Sequence, residues 1–259
     1  MRIVIIGAGR MGGWLAREFS KEHEVAIYDI DQQKYASIPE AKGFESLNEI
    51  CSFNPKLLIN AVSLPNIISA FEEVLPHLGP SCLLADIASV KMGLGEYYKG
   101  LGRPFVSTHP MFGPTFSHRG NLADENAIII SESAQEGKVF FRRFYGRLGI
   151  HIYECSFDEH DRTIAYSLSV PFASTMVFAA CMKRQEAPGT TFKKHLQIAK
   201  GLLSEDDNLL SEIMFNPHSL PHIHNIASQL AYLTHIIKAK DYEEMAKFLN
   251  RLRQNISWA

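Results

Sequence analysis

The sequence predicts an α/β fold, with a doubly wound parallel sheet in the first part of the chain and an all-helical second part. Three observations carry this. Short, wholly apolar runs such as Ile3-Val4-Ile5-Ile6 and Leu57-Leu58-Ile59 suit strands covered by helices on both faces. They alternate with helical patterns as far as Tyr153, as a parallel sheet with crossover helices requires. Beyond Phe157 the strand signals stop, and a stretch rich in Ala, Ser, Thr and Met takes over. With 259 residues and 46% hydrophobic content the chain can fill two cores. The boundary is expected near Ser156, giving domains 1–156 and 157–259.

The first strand, Arg2–Ile6, runs into Gly7-Ala8-Gly9-Arg10-Met11-Gly12, and Trp14, Leu15 and Phe19 then recur at helical spacing. A GxGxxG string carries weight because it sits between a strand and a helix. The first glycine permits a tight turn, the second lets backbone approach a pyrophosphate, and the third lets helix pack on strand. A second strand, Glu24–Asp29, ends in a carboxylate 22 residues after Gly7, where an acid binding the adenosine ribose belongs. Asp29 would accept from the 2′-hydroxyl and repel a 2′-phosphate, and Asp31 adds to that repulsion. The expected cofactor is therefore NAD, held by Gly7, Gly9, Arg10, Met11, Gly12, Asp29 and Ser63, the last just beyond a strand at Lys56–Val62. A helix over Asn66–Val74 and a strand over Cys82–Asp86 continue the alternation.

Val106-Ser107-Thr108-His109-Pro110-Met111-Phe112-Gly113-Pro114 begins as a buried strand and ends as a stiff loop, because proline lacks an amide hydrogen and restricts the residue before it, so no helix is expected to run on there. His109 is expected at a strand end, presented rigidly as a catalytic imidazole needs to be. Ligands of open parallel sheets bind beyond the carboxyl ends of strands, so Ser89, after the Cys82–Asp86 strand, faces the same crevice. A strand at Asn126–Ser131, a helix at Gln135–Leu148 and a strand at Ile150–Tyr153 complete the first domain.

Asp158-Glu159-His160-Asp161 opens a long helix with acids at its start, as the helix dipole favours, and Pro171 is expected to kink it. Thr190 or Thr191 is expected to cap the next helix, which carries Lys193, Lys194, His195 and Lys200. A short helix at Leu209–Phe215 and an amphipathic hairpin over Ile223–Lys238 and Tyr242–Ile256 follow. No metal site is expected at His218, His222 and His224, since Pro217 and Pro221 break the register and no acid or cysteine joins them.

A formal net charge of −2, from 26 basic and 28 acidic residues, gives nucleic acid or an anionic membrane no evident hold, which leaves small molecules as ligands. The cysteines Cys51, Cys82, Cys155 and Cys181 include no CxxC pair, which fits reduced thiols in a cytoplasm. The opening apolar run is too short for a signal peptide, and the apolar stretch Val170–Met182, at thirteen residues, is too short to span a bilayer.

Taken together, Gly7 to Gly12, Asp86-Ile87-Ala88-Ser89-Val90-Lys91, His109-Pro110-Met111-Phe112-Gly113-Pro114 and Glu159-His160-Asp161 make the chain resemble the prephenate dehydrogenase family, which includes arogenate and cyclohexadienyl dehydrogenases. The resemblance covers nearly the whole chain. It implies a Rossmann-type nucleotide-binding domain followed by a helical dimerisation domain in a homodimer, and oxidative decarboxylation of prephenate with NAD in tyrosine biosynthesis. It makes His109 the catalytic base and Ser89 its hydrogen-bonding companion at the substrate hydroxyl. The family's carboxylate-anchoring arginine is matched by Lys193, a point charge without the bidentate fork, and Phe172 stands where members often carry histidine. The competing expectations are an arogenate or cyclohexadienyl dehydrogenase, a dehydrogenase of another small acid such as a 3-hydroxy acid, and a non-catalytic NAD-binding regulator.

Overall fold

The structure is a computed structural model that describes residues 1–112 and 122–257; Gly113 and Pro114 lie outside the described residues. Eight strands form one sheet in the order β3-β2-β1-β4-β5-β6-β7-β8. They are β1 (Arg2–Ile6), β2 (Glu24–Tyr28), β3 (Lys42–Phe44), β4 (Leu57–Asn60), β5 (Leu83–Asp86), β6 (Phe105–Pro110), β7 (Asn126–Ile130) and β8 (His151–Cys155). Every neighbouring pair is parallel except β6 and β7, which run antiparallel with His109 opposite Ile128.

Alternation along β1 explains the two-sided core. Ile3 and Ile5 point into one apolar layer with Trp14, Leu15 and Phe19 of α1 (Arg10–Ser20) and with Phe141 and Phe144 of the helix Gln135–Arg147. Val4 and Ile6 point into the other, with Phe71, Leu94 and Tyr98. The other α-helices among the described residues of this half are α2 (Gln32–Ala36), α3 (Asn48–Phe53), α4 (Ile67–Val74) and α5 (Leu94–Leu101), and Gln135–Arg147 is α6.

The second half holds α7 (Phe157–Cys181), α8 (Thr190–Leu202), α9 (Asp207–Met214), α10 (Ser219–Ala239) and α11 (Tyr242–Asn255). One difference from the sequence reading has a simple cause. Neither threonine caps α8: Gly189 stands at the cap position without a side-chain bond, and Thr190 is the first helical residue. Pro171 lies within α7 without ending it; Pro171 and Ser167, whose carbonyl loses the proline's missing amide, are both exposed, where water can serve that carbonyl.

The helix α7 spans 25 residues and is long and apolar enough, by length and composition alone, to cross a membrane, unlike the thirteen-residue run that overlaps its end. Only 22% of its most apolar window is buried within the chain.

The chain divides into two compact units, Met1–Ile164 with Glu205–Asn216, and Ala165–Ser204 with Pro217–Ala259. The division thus falls within α7 rather than at Ser156. Its first turns belong to the sheet-bearing unit because His160, Ile164 and their neighbours are buried there. Residues 205–216 return to that unit through α9, which packs on the 3₁₀ turn Leu64–Asn66 and buries Leu210 and Ile213. In the second unit α10 ends at Lys240 in the left-handed conformation (φ 52°), and the carboxylate of Asp241 accepts from Glu244 N at 2.9 Å to start α11.

Candidate active site

Strand order reverses between β1 and β4, and the loops leaving their carboxyl ends flank a cleft of about 450 Å³ lined by Gly7, Gly9, Asp29, Ile30, Ser63 and their neighbours. Gly7 has φ +94°, and a Cβ there would stand 2.8 Å from the Ala61 carbonyl group and Val62 N, so only glycine fits. A Cβ on Gly12 would meet Gly7 O at 1.9 Å, which makes Gly12 the residue that lets α1 close on β1. Gly9 is different: nothing lies within 4 Å of its Cβ position, and no side chain caps α1 and no acid occupies its first turn. That leaves open space before free helix amides, which suits a pyrophosphate.

Asp29, at the end of β2, is buried. Its Oδ2 accepts from Ala8 N at 2.7 Å and its Oδ1 from Asp31 N at 2.9 Å, while Lys34 Nζ lies 3.6 Å away. A carboxylate has about four lone-pair sites, so capacity for a ribose hydroxyl remains. Ser63 is exposed at the cleft and accepts from Asn66 Nδ2 at 3.0 Å. Arg10 is exposed on the first turn of α1, and Met11 packs partly against the core instead of lining the cleft.

His109 lies on the same carboxyl edge of the sheet, three strands from β1. At 4.7–4.9 Å per step that is about 14 Å along the edge. The residue is the fifth of β6 and only 6% exposed, so it sits deeper than a loop residue at a strand end. Its ring nevertheless belongs to a polar cluster and not to either apolar layer. His109 Nδ1 lies 2.9 Å from His160 Nε2, and His160 Nδ1 lies 2.8 Å from Asp161 Oδ1. That same carboxylate oxygen accepts from Lys91 N at 2.8 Å, and the Asp161 carbonyl accepts from Asn216 Nδ2 at 2.9 Å.

Lys91 ties this cluster to the sheet. Its side chain is fully buried; Nζ donates to Asp86 Oδ1 at 2.5 Å and to the Thr108 carbonyl at 2.8 Å, which clamps the backbone just before His109. Tyr98 donates to the other Asp86 oxygen at 2.8 Å. Thr108 Oγ1 donates to the Ile128 carbonyl at 2.7 Å and so accepts from Tyr145 at 3.0 Å. Phe112, three residues on, is buried edge-on against Trp14 at 5.4 Å between centroids, anchoring the chain after His109 to α1.

Burial pushes the pKa of His109 well below the usual histidine value, and the neighbouring His160 and the Lys91 cation push the same way. His160 is lowered too, by burial first, with the Asp161 hydrogen bond opposing it. Burial lowers Lys91 against the pull of Asp86.

Ser89 is half-buried in the loop after β5, and among the described residues it makes no hydrogen bond to His109, whose Nδ1 is on His160. The imidazole partner is therefore the histidine of the Glu-His-Asp string, which the sequence shows only as a helix start. Lys193 belongs to the second unit and is exposed on α8; Phe172 also lies there. Among the described residues no group of three or more His, Cys, Asp or Glu side chains is placed to hold a metal ion.

Residues 15–142 match the family model described as "Prephenate dehydrogenase, nucleotide-binding domain". A "Probable arogenate/prephenate dehydrogenase" of Methanocaldococcus jannaschii is 24% identical over 95% of this chain and 58% of its own length. A T-protein of Enterobacter agglomerans is 23% identical over 84% of this chain and 57% of its own. The chain thus spans little more than half the length of these relatives. Among solved structures, prephenate dehydrogenase of A. aeolicus in complex with hydroxyphenyl propionate and NAD+ has a TM-score of 0.82 at 18% identity, covering 98% of this chain and 96% of the other. Synechocystis arogenate dehydrogenase has a TM-score of 0.73 at 18% identity, covering 98% of each. At these identities the structures speak for the fold.

Proposed function

We propose, from the match of residues 15–142 to the nucleotide-binding domain of prephenate dehydrogenases, that the chain is an NAD-dependent prephenate dehydrogenase making 4-hydroxyphenylpyruvate for tyrosine synthesis. The observation that carries the reading is a buried imidazole, held neutral, on the same sheet edge as a glycine turn with room for a pyrophosphate. Gly7, Gly9 and the first turn of α1 hold the diphosphate of the dinucleotide, Asp29 its adenosine ribose, and Ser63 the rim of the cleft. NAD+, when bound, supplies the acceptor for a hydride.

What the chain's own residues do is position the substrate and take a proton. His109 accepts the proton of the ring hydroxyl as the hydride leaves the carbon that bears it. The resulting ring ketone drives loss of the ring carboxylate as carbon dioxide, and the phenolate so formed takes a proton back. Ser89, in the neighbouring loop, is the candidate to hydrogen-bond the reacting hydroxyl, and Lys193 the candidate anchor for a substrate carboxylate. A hydrogen bond to a charged group contributes about 1.5–3 kcal/mol, so Lys193→Ala is expected to raise KM by roughly ten- to a hundredfold with kcat little changed. An unaltered KM removes Lys193 from the substrate site.

Assembly as a homodimer through the second unit is part of this reading. Val177, Ile198, Leu230 and Ile237 are half exposed or more, and α7 buries little of its apolar length within the chain. Cytoplasmic residence belongs to the same proposal. The test of the reaction is NADH formation by the purified protein with prephenate or L-arogenate and with NAD+ or NADP+. Fastest turnover of prephenate with NAD+ is expected. No NADH from either substrate contradicts the proposal, and preference for L-arogenate replaces prephenate by its amino counterpart.

A further inference from the structure

Which nitrogen of His109 is the base follows from the chain of contacts behind it. Asp161 Oδ1 already accepts from the Lys91 backbone amide, and a carboxylate oxygen has only acceptors to offer, so His160 Nδ1 must donate to it. A neutral imidazole carries one N–H. His160 Nε2 is then a lone pair, and the 2.9 Å contact closes only if His109 Nδ1 donates. This leaves the His109 lone pair on Nε2, the nitrogen outside the contact chain.

We propose that His160 is a positioning residue, held by Asp161, which fixes His109 in the tautomer protonated at Nδ1 and so makes Nε2 the atom that accepts the substrate proton. The inference rests on the reaction proposed above only for the identity of that proton. One other arrangement fits the distances: a doubly protonated His160 donating to His109 Nδ1, which would leave the proton on Nε2 and no base. Burial and the Lys91 cation both disfavour a charged His160. Asp161 is itself fixed by the Lys91 amide and, through its carbonyl, by Asn216 after α9. Returning residues 205–216 to the sheet-bearing unit therefore helps to orient the imidazole.

The test reads the proton directly. In protein labelled with 15N-histidine, the ring signals of His109 are assigned by their loss in His109→Asn and read near neutral pH without substrate. A protonated Nδ1 and an unprotonated Nε2 are expected; a proton on Nε2 overturns the proposal. Two variants add a kinetic readout. His160→Leu removes the acceptor and should lower kcat at least about tenfold, up to the roughly 10⁴-fold loss known for a wrong tautomer, with NAD+ affinity unchanged. His160→Gln keeps a carbonyl acceptor and should restore the Nδ1-protonated form and much of the rate. Wild-type kcat in a folded His160→Leu protein also overturns it. The NMR readout needs neither variant to fold and no turnover, so an Nδ1-protonated His109 in a protein inert toward prephenate supports this inference while ending the proposed reaction.

Discussion

His109 is useful as a base only while neutral, and its surroundings keep it so. Burial, His160 and the Lys91 cation all disfavour the imidazolium, so kcat/KM should fall on the acid side only below the ordinary histidine range of about 6.5. The same shift bears on stability. With a folded pKa below the unfolded one, the unfolded chain binds the proton first as pH drops. The contribution is therefore complete above about pH 6.5 and is lost as pH falls toward the depressed folded value. His160 acts with the same sign. The urea midpoint should decline from pH 7 to 5.5 more steeply in the wild type than in His109→Gln; parallel declines would contradict this. Lys91→Met leaves the buried Asp86 carboxylate without its cation and should destabilise the fold by about 3–5 kcal/mol in chemical denaturation. At this scale the sequence pointed to His109 and Asp29 through their neighbours in the chain and gave the buried Lys91 and Asp86 no role of their own. It did not show that His160 meets His109, because the two are 51 residues apart and a Glu-His-Asp string is equally good as a helix start.

Elements were legible where their residues repeat with a clear period. β1, β2, β4 and β5 are runs of apolar residues buried on both faces, and the structure places each within a residue or two of expectation. β3 is three residues with a central glycine, too short for periodicity to register, and the antiparallel setting of β7 depends on chain direction, which composition does not encode. The packing of α6 on β6 offers an element-scale test near the site. A Cβ on Gly137 would stand 2.5 Å from Val106 Cβ, three residues before His109 on the same strand. Gly137→Ala must push helix from strand and should cost about 1–3 kcal/mol, read as a lower Tm, with a loss of kcat larger than the loss of NAD+ affinity. A variant as stable and active as the wild type would mean that β6 gives way without moving the imidazole.

That sheet gives way to helices was readable across the whole molecule because strand signals end at Phe157, whereas the path of residues 205–216 was not. Leu210 and Ile213 mark an apolar face on α9 without saying whose core it fills, and that face returns to the sheet-bearing unit. The exposed apolar residues of the second unit make the dimer a prediction at this scale. Light scattering on the eluting protein should give twice the chain mass of 29.1 kDa, and a monomer at micromolar concentration would contradict it. The central claim is that a neutral His109 removes the substrate proton at a dinucleotide cleft it does not itself build. The most direct measurement pairs NAD+ titration with NADH formation from prephenate in His109→Asn. The account predicts an unchanged Kd for NAD+ and turnover lower by roughly 10²- to 10⁴-fold; turnover equal to the wild type would contradict it.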